Sequence, residues 1–463
     1  MRTRKTHFEP YVHLAGLTHE RALLSWGGFF FRPAESGRDP DRKWRLVDDE
    51  ELGQVQPGRT ECIGERSETY GPARVELFGE DGRRVASAMT SDRNHVWIDG
   101  LQPETVYRYE ISVQGRPWLA GQRYDWAAGP DGERGLYPSR RTYDCRFTTD
   151  PAPETSAPLT FAAFGDYGVG ISSDREDSAR QLRIAQALGR AADDMQLRLV
   201  VTLGDNIYHG PAQGSGDEDD DWFFTFYQPY RYLINRIPFY VTVGNHDDAD
   251  QENSDDRSQL EDNFYLAQRF GEKLDADSSD LEPGLFYSFR YGADVEFVCI
   301  DTTCAKNPYF TRPAARAFLE KTLCADLARR VWRIPFSHHP MYCAGPEHPN
   351  TGAMEAVLTP IFKRSGVRLV LAGHEHNFQH AYCEGIHYIV SGAAARLRRD
   401  PPRQFEQAHI VDWAARGHFT VVELTGPRAV VRPFTADERG GYAPLMRATP
   451  TGECTDAPIV IER

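Results

Sequence analysis

Five short polar blocks, each directly after an apolar run, contain the residues of this chain that could do chemistry. They are Gly165-Asp166-Tyr167-Gly168, Gly204-Asp205-Asn206-Ile207-Tyr208, Gly244-Asn245-His246-Asp247, His338-His339-Pro340 and Gly373-His374-Glu375-His376. Carboxylates suit hard cations, and imidazoles suit Zn, Fe, Mn or Ni. The aspartates and histidines, with the asparagine and the tyrosine, exceed what one ion needs, and a carboxylate can bridge two ions. The set therefore predicts a two-metal site.

Each block taken alone has an ordinary structural explanation. A Gly-Asp pair after a strand is commonly a turn or a helix N-cap, and a single histidine is more often a hydrogen-bonding residue than a ligand. All five blocks occur in order after apolar runs, and this repetition favours a functional site. The chain has no GxSxG motif that would supply a serine nucleophile. Direct attack of water on the substrate is therefore preferred over a covalent intermediate.

The elements that must position these blocks are apolar runs of strand length. They are LTFAAF, LRLVVTL, PFYVTV, VEFVCI, RIPFS, VRLVLA and HYIVS, with a helical pattern in SARQLRIAQALGRAADDM and a closing hairpin in HFTVVEL and RAVVRPF. Continuous apolar strands alternating with helices predict an α/β sheet covered on both faces. Ligands of such sheets bind outside the carboxyl ends of the strands, where the glycines are expected to let the backbone turn sharply.

The first part of the chain has a different pattern. Residues 1–150 alternate short half-buried segments with Gly, Pro and Asp turns, which predicts an antiparallel β-sandwich. Within it, the stretch GLQPETVYRYEI at residues 100–111 resembles a late strand of fibronectin type III domains, and residues 36–70 are expected to be an insertion loop without a strand. Residues 148–158 read as a linker, and residues 159–463 are expected to form the catalytic domain.

Composition limits the classes of partner. Lys+Arg 53 against Asp+Glu 68 gives a net charge of −15, which disfavours nucleic-acid or anionic-lipid binding. The acidic run at 214–221 is expected to be a solvated loop. The basic N-terminus lacks an apolar run of signal-peptide length, so the chain as written is expected to be cytoplasmic, or secreted or periplasmic if a leader has been removed. The eight cysteines are expected to be mostly free thiols, with one or two disulfides possible in an exported protein.

Together, the five blocks resemble those of calcineurin-like metallophosphoesterases. With Tyr208 included, they are similar to the purple acid phosphatase pattern GDxG, GDxxY, GNH(D/E), VxxH and GHxH, over about Leu159 to Phe434. The valine of the fourth motif is Pro335 here. The resemblance implies an α/β fold of mixed sheets flanked by helices, preceded by a β-sandwich domain. It also implies a dinuclear centre of Fe(III) with Fe, Zn or Mn.

The resemblance also assigns roles to individual residues. The first metal would be bound by Asp166, Tyr208 and His376, the bridge would be Asp205, and the second metal would be bound by Asn245, His338 and His374. His246 and His348 would face the substrate. For the reaction itself, His246 is the candidate proton donor, and Asp247 is expected to orient it. His338 is preferred over His339 as the ligand because the family has one residue between this ligand and the proline. A structural or a substrate-facing role is left open for His339.

The predicted activity is hydrolysis of small phosphate esters by metal-activated hydroxide, with an acid phosphatase acting on monoesters as the first choice. A phosphodiesterase or nucleotide hydrolase would use the same site, because substrate choice is expected to lie in loops 211–228 and 247–272. A third possibility is a binding module whose phosphatase-like domain is inactive. The complete set of ligands is the argument against this possibility.

Overall fold

The computed structural model describes residues 7–33, 44–46, 72–128, 134–170, 175–208, 222–247, 254–271, 284–303, 308–328 and 330–463. The chain divides into two compact units. The first unit contains residues 1–150 and 217–238, and the second contains residues 151–216 and 239–463. The segment 217–238, which the sequence analysis placed in the catalytic domain, thus belongs to the first unit. The acidic run and most of the expected insertion loop lie outside the described residues.

The described elements follow in chain order. The strands are β1 His7–Leu17, β2 Arg21–Pro33, β3 Trp44–Leu46, β4 Ala73–Phe78, β5 Arg84–Thr90, β6 His95–Asp99, β7 Val106–Val113, β8 Arg116–Pro117, β9 Tyr124–Ala128, β10 Arg134–Pro138, β11 Arg146–Thr148, β12 Leu159–Phe164, β13 Leu199–Thr202, β14 Phe239–Val241, β15 Tyr287–Tyr291, β16 Val295–Ile300, β17 Trp332–Ser337, β18 Leu369–Ala372, β19 Phe378–Cys383, β20 Ile386–Ser391, β21 Ile410–Ala414, β22 Phe419–Thr425, β23 Arg428–Ala436, β24 Tyr442–Pro444, β25 Arg447–Ala448, β26 Cys454–Thr455 and β27 Ile459–Glu462. The α-helices are α1 Arg175–Asp194, α2 Gln228–Ile234, α3 Ser254–Asn263, α4 Leu266–Phe270, α5 Pro313–Leu323 and α6 Gly352–Ser365. A π-helical turn spans Phe223–Tyr227, and a 3-10 turn spans Tyr309–Thr311.

The first unit is built on two antiparallel sheets that share a core. One sheet contains β1, β2, β3 and β6, the other has the order β11-β7-β4-β5 with β8 beside β7, and β9 and β10 form a separate pair. Buried side chains from both sheets, among them Val12, Leu24, Val75 and Ile111, belong to one cluster. Alternate residues of each strand point inward to this core. The expectation that 36–70 holds no strand is wrong for β3, which pairs with the end of β2.

Residues 222–236, here called the anchor segment, continue the core of this unit. The Arg231 guanidinium lies 3.0 Å from the Glu9 carboxylate of β1, and both side chains are 1% exposed. The Tyr227 ring stacks on that of Tyr11, with 4.0 Å between the centroids. A buried charge is tolerated only when it is paired, so this contact fixes the segment to β1.

The second unit contains two mixed sheets. The first has the order β14-β13-β12-β22-β23-β24 with β27 beside β23, and the second has the order β15-β16-β17-β18-β20-β19-β21-β25-β26. β12, β13 and β14 run parallel to one another, as do β16, β17, β18 and β20. The closing hairpin of β22 and β23 is antiparallel. The prediction of an α/β fold with mixed sheets is confirmed.

The core of the second unit lies between the sheets and under the helices. The Phe161 ring of β12 meets that of Phe297 of β16 edge to face, with 5.0 Å between centroids. Leu319 of α5 and Leu358 of α6 belong to a buried cluster that includes Val298 of β16.

The cysteines in the described residues are free thiols. They are Cys145, Cys299, Cys324, Cys343, Cys383 and Cys454; Cys62 and Cys304 lie outside the described residues.

Among the helices of the described ranges, none combines the length and the apolar character that a membrane crossing requires.

Candidate metal centre

The polar blocks lie at the carboxyl ends of parallel strands. β12 leads to Asp166, β13 to Asp205 and β18 to His374. These three residues have φ angles of 58°, 48° and 71°. The left-handed region costs a non-glycine residue about 1–3 kcal/mol. Strain at three predicted ligands of one site indicates that the surrounding fold forces these side chains inward.

The glycines allow the blocks to lie close together mainly because they have no Cβ atom that would collide with a neighbouring block. Gly204, with φ 82°, does turn the chain as predicted. A Cβ at Gly244 would lie 2.1 Å from Asp205 Oδ1, and one at Gly373 would lie 2.8 Å from Asp166 Oδ2. At Gly244 the reason for glycine is close approach to a carboxylate, and at Gly373 it is close approach to the Leu203 carbonyl oxygen, 2.5 Å from such a Cβ, as well as to a carboxylate. Both reasons differ from the predicted sharp turn.

A first cluster of donor atoms consists of Asp166, Tyr208 and His376. Tyr208 Oη lies 3.4 Å from Asp166 Oδ1 and 3.3 Å from His376 Nε2. His376 Nε2 lies 3.4 Å from the same carboxylate oxygen. A phenol, a carboxylate and an imidazole thus converge on one position, as a shared ion requires.

A second cluster is centred on His338, which is fully buried. Its Nε2 lies 2.9 Å from Asn245 Oδ1, 3.1 Å from His374 Nδ1 and 3.3 Å from Asp205 Oδ1. Its Nδ1 lies 2.8 Å from the Leu203 carbonyl, which can only accept, so Nδ1 carries the proton. The neutral ring therefore turns the lone pair of Nε2 towards the side-chain oxygens of Asn245 and Asp205.

Such crowding of lone pairs is what a cation relieves, so the donor set fits a bound metal ion. The histidine tautomer, fixed by a backbone carbonyl, is also the usual arrangement for a metal ligand. Asp205 connects the two clusters. Its carboxylate lies within 4.8 Å of donor atoms of Asp166 and His376, as well as next to His338. This is the place that a bridging ligand needs.

The electrostatics of the clusters indicate the same fit. Burial and the neighbouring Asp205 raise the pKa of the Asp166 carboxyl well above its usual range. Burial and the surrounding histidines lower the pKa of His374 well below its usual range, and burial and Arg398 lower that of His376 to about 3. Burial thus disfavours the charged form of every one of these groups: it favours a protonated Asp166 and neutral imidazoles. Bound cations would balance the charge of the carboxylates while the imidazoles stay neutral.

Two further predicted histidines border the clusters. The backbone N–H of His246 donates to Asp205 Oδ1 at 3.0 Å, and its half-buried ring lies 4.5 Å from that of Tyr208. The His348 ring lies against that of His374, with 3.8 Å between centroids. One histidine therefore stands beside each cluster.

Asp247 is placed differently from its predicted role. Its carboxylate accepts hydrogen bonds from the backbone N–H groups of Asn206, Ile207 and Gly244 and from the side-chain amide of Asn206, at 2.7–3.0 Å. The donors occupy both carboxylate oxygens. Asp247 therefore binds the loop after β14 to the loop after β13, which differs from orienting the ring of His246.

The sequence analysis missed a carboxylate between two ligands. Glu375 is fully buried and accepts hydrogen bonds from the backbone N–H of His348 and from Arg398, each at 3.0 Å. Arg398 also pairs with Glu347 at 2.9 Å. These contacts hold the loop of His348 against His374. A charged residue inside the GHxH motif was the available indication.

A sixth strand end was also missed. β16 is followed by Asp301-Thr302-Thr303, and Thr302 Oγ1 lies 3.0 Å from Nδ1 of His339. The rule that located the other five blocks applies equally here, since β16 lies parallel to β17 in the sheet.

Comparison with known proteins agrees with this geometry. Residues 159–378 match the calcineurin-like phosphoesterase family. The chain is 27% identical over 286 residues to rat tartrate-resistant acid phosphatase type 5, covering 58% of this chain and 83% of the relative. It is 26% identical over 274 residues to Arabidopsis thaliana purple acid phosphatase 4, covering 54% and 73%. The solved purple acid phosphatase PPD1 from yellow lupin seeds has the same fold, with a TM-score of 0.57 at 14% identity, covering 99% of this chain and 75% of that one.

Residues 159–378 are therefore a calcineurin-like phosphoesterase domain. The chain is a metallophosphoesterase, a hydrolase, that resembles purple acid phosphatases, and these relatives imply a dinuclear metal centre.

Proposed function

We propose that this protein is an acid phosphatase that hydrolyses phosphate monoesters at an Fe(III)–M(II) centre, with Fe, Zn or Mn as the second metal. In this proposal the first metal is held by Asp166, Tyr208 and His376, the second by Asn245, His338 and His374, and Asp205 bridges them. The N-terminal part, residues 1–150, is proposed to be a fibronectin type III-like domain joined through 148–158 to the catalytic domain 159–463.

The single observation that carries the proposal is the position of Tyr208. Its Oη points at the carboxylate of Asp166 and the Nε2 of His376, at 3.4 and 3.3 Å. A phenol that only packed at the strand end would have no need to converge with two other donors. A phenolate prefers a hard trivalent ion, which supports Fe(III) in the first position.

Two bound cations would acidify a water molecule and neutralise charge on the phosphoryl oxygens. The protein's own residues do the rest. The His246 ring, half-buried beside Tyr208, is the proposed donor of a proton to the leaving oxygen. Asp247 holds the loops of both metal positions together through the amide hydrogen bonds of Gly244 and Ile207. His348 is the proposed contact to the phosphoryl group beside His374.

The fibronectin type III-like proposal is supported by one tyrosine. Tyr107 Oη, at the start of β7, accepts a hydrogen bond from the backbone N–H of Gln102 at 2.9 Å. A tyrosine whose hydroxyl bonds back to the chain a few residues upstream is the tyrosine corner of immunoglobulin-like sandwiches.

The decisive experiment is metal analysis of the purified protein combined with its visible spectrum. We expect two metals per chain, at least one of them iron, and a purple or pink colour from Tyr208 on Fe(III). Tyr208→Phe should remove the band. Tyr167→Phe is the matched control, because this phenol is buried in the neighbouring block and bonds to Asn206 Oδ1 at 2.9 Å. It should keep the band.

A colourless protein that contains two metals including iron would refute Tyr208 as a ligand. A substrate panel tests the second part of the proposal. We expect p-nitrophenyl phosphate to be cleaved faster than bis-p-nitrophenyl phosphate. The opposite order would favour the diesterase alternative with the same metal site.

A further inference from the structure

His339 is an additional histidine at the metal centre that the proposed ligand set does not use. Its ring lies 4.3 Å from that of His374 and 5.0 Å from that of His338, measured between centroids. A ring nitrogen of His339 lies within 4.8 Å of donor nitrogens of both residues. It is half-buried, so the ring can be reached from the site.

The contact with Thr302 suits a His339 ring that carries its proton on Nε2. The backbone N–H of His339 donates to Thr302 Oγ1 at 3.1 Å, and Nδ1 lies 3.0 Å from the same oxygen. The hydroxyl thus receives one proton from the backbone and has its own proton to donate. When it donates to Nδ1, the proton of the neutral ring lies on Nε2.

Thr302 is itself held firmly. The Asp301 carboxylate accepts hydrogen bonds from the backbone N–H groups of Leu285 and Thr303, at 2.7 and 3.0 Å, and from the Thr303 hydroxyl at 2.7 Å. Thr302 is only 5% exposed, so water competes little for its hydroxyl. The strand end after β16 therefore presents this hydroxyl to His339 in a fixed position.

We propose that His339 binds the phosphoryl group of the substrate through Nε2–H and is not a metal ligand. An N–H group repels a cation and attracts the oxygens of an anion. The second metal position is already served by four donors, from Asp205, Asn245, His338 and His374. This inference rests on the proposed function, because it presupposes a phosphate ester at the metal centre.

The experiment measures the binding of inorganic phosphate to the metal-loaded protein by calorimetry, together with metal content and thermal stability. His339→Asn places an amide where Nδ1 was and cannot reach the position of Nε2, whereas His339→Gln carries its amide nitrogen to that position. We expect His339→Asn to weaken phosphate binding by about tenfold or more, as for loss of a hydrogen bond to a charged group. His339→Gln should restore most of it.

Thr302 supplies a second, independent pair of variants. Thr302→Val removes the hydroxyl that contacts Nδ1 and should also weaken phosphate binding, whereas Thr302→Ser keeps the hydroxyl and should bind as the wild type does. All four variants should retain two metals per chain.

The outcomes separate this inference from the proposed function. A wild type that binds two metals but neither hydrolyses p-nitrophenyl phosphate nor binds phosphate would overturn the proposed function, and the inference with it. A wild type that does both, with unchanged phosphate binding in His339→Asn, would overturn the inference alone. Loss of metal from a folded His339→Asn would also overturn it, because His339 would then be a ligand.

Discussion

The hydrogen bonds of Asp247 lead to a sharp prediction for Asp247→Asn. The carboxylate accepts four hydrogen bonds from the loops after β13 and β14. An asparagine of the same shape keeps one acceptor oxygen and replaces the other with an N–H₂ group. In the wild type, Oδ2 accepts from the backbone N–H of Gly244 at 2.7 Å and from the side-chain amide of Asn206 at 2.8 Å. If the amide nitrogen of the asparagine takes the place of Oδ2, both of these donors face another donor and lose their acceptor.

The magnitude follows from those two contacts. Each buried donor left without an acceptor costs about 1–3 kcal/mol, so the variant should lose about 4 kcal/mol of stability. In a domain of this size, that corresponds to a fall of about 10 °C in the melting temperature. Because Asn245 lies in the same loop, its oxygen should move away from the second metal position, and metal content should fall below two per chain.

The assay compares thermal unfolding, metal content and kcat of Asp247→Asn with those of His246→Ala. If Asp247 binds the loops together, Asp247→Asn loses stability and metal, whereas His246→Ala keeps both and loses only kcat. If Asp247→Asn instead behaves like His246→Ala, with normal stability and two metals, then the original prediction of an orienting role is right and the hydrogen-bond argument is refuted.

Further predictions concern space, buried charge and pH. Gly244→Ala should abolish metal binding, because its Cβ would lie 2.1 Å from a ligand oxygen, whereas Gly352→Ala, at the start of α6 with nothing within 4 Å, should leave metal content unchanged. Arg231→Met should destabilise the first unit by about 3 kcal/mol in denaturant titrations by removing the buried guanidinium that pairs with Glu9, and adding Glu9→Gln should recover part of the loss. Burial lowers the pKa of His418 to about 4. The neutral ring therefore adds up to about 3 kcal/mol to the free energy of unfolding above pH 6.5, and this stabilisation is lost as the pH falls from about 6.5 towards 4. Unfolding of His418→Asn across that range should therefore show a shallower dependence on pH, and an unchanged slope would contradict this assignment.

Much of the second unit follows from sequence patterns, because its parallel strands are continuous apolar runs that end in polar residues. The convergence of Asp166, Tyr208 and His376 follows from the same rule, since parallel strands bring their carboxyl ends to one edge. Thr302 was missed because only carboxylate, imidazole, amide and phenol groups were considered as candidate site residues, and threonine hydroxyls after a strand were not.

Other features could not be inferred, because they depend on contacts between distant residues. Nothing in Asp247 or its neighbours indicates that its carboxylate faces the amides of another loop. Equally, the pairing of Arg231 with Glu9, separated by more than two hundred positions in the chain, has no local pattern. The strand β3 is short and isolated, so alternation of apolar and polar residues could not reveal it.

The anchor segment has a consequence for how such proteins could be recombined during evolution or engineering. The chain leaves the second unit after the loop of Tyr208, contributes residues 217–238 to the first unit, and returns before the loop of Asn245. A gene cut at the linker would deprive the sandwich of Tyr227 and of the Arg231 guanidinium that pairs with the buried Glu9. A working hybrid therefore needs to exchange the sandwich and the anchor segment as one set.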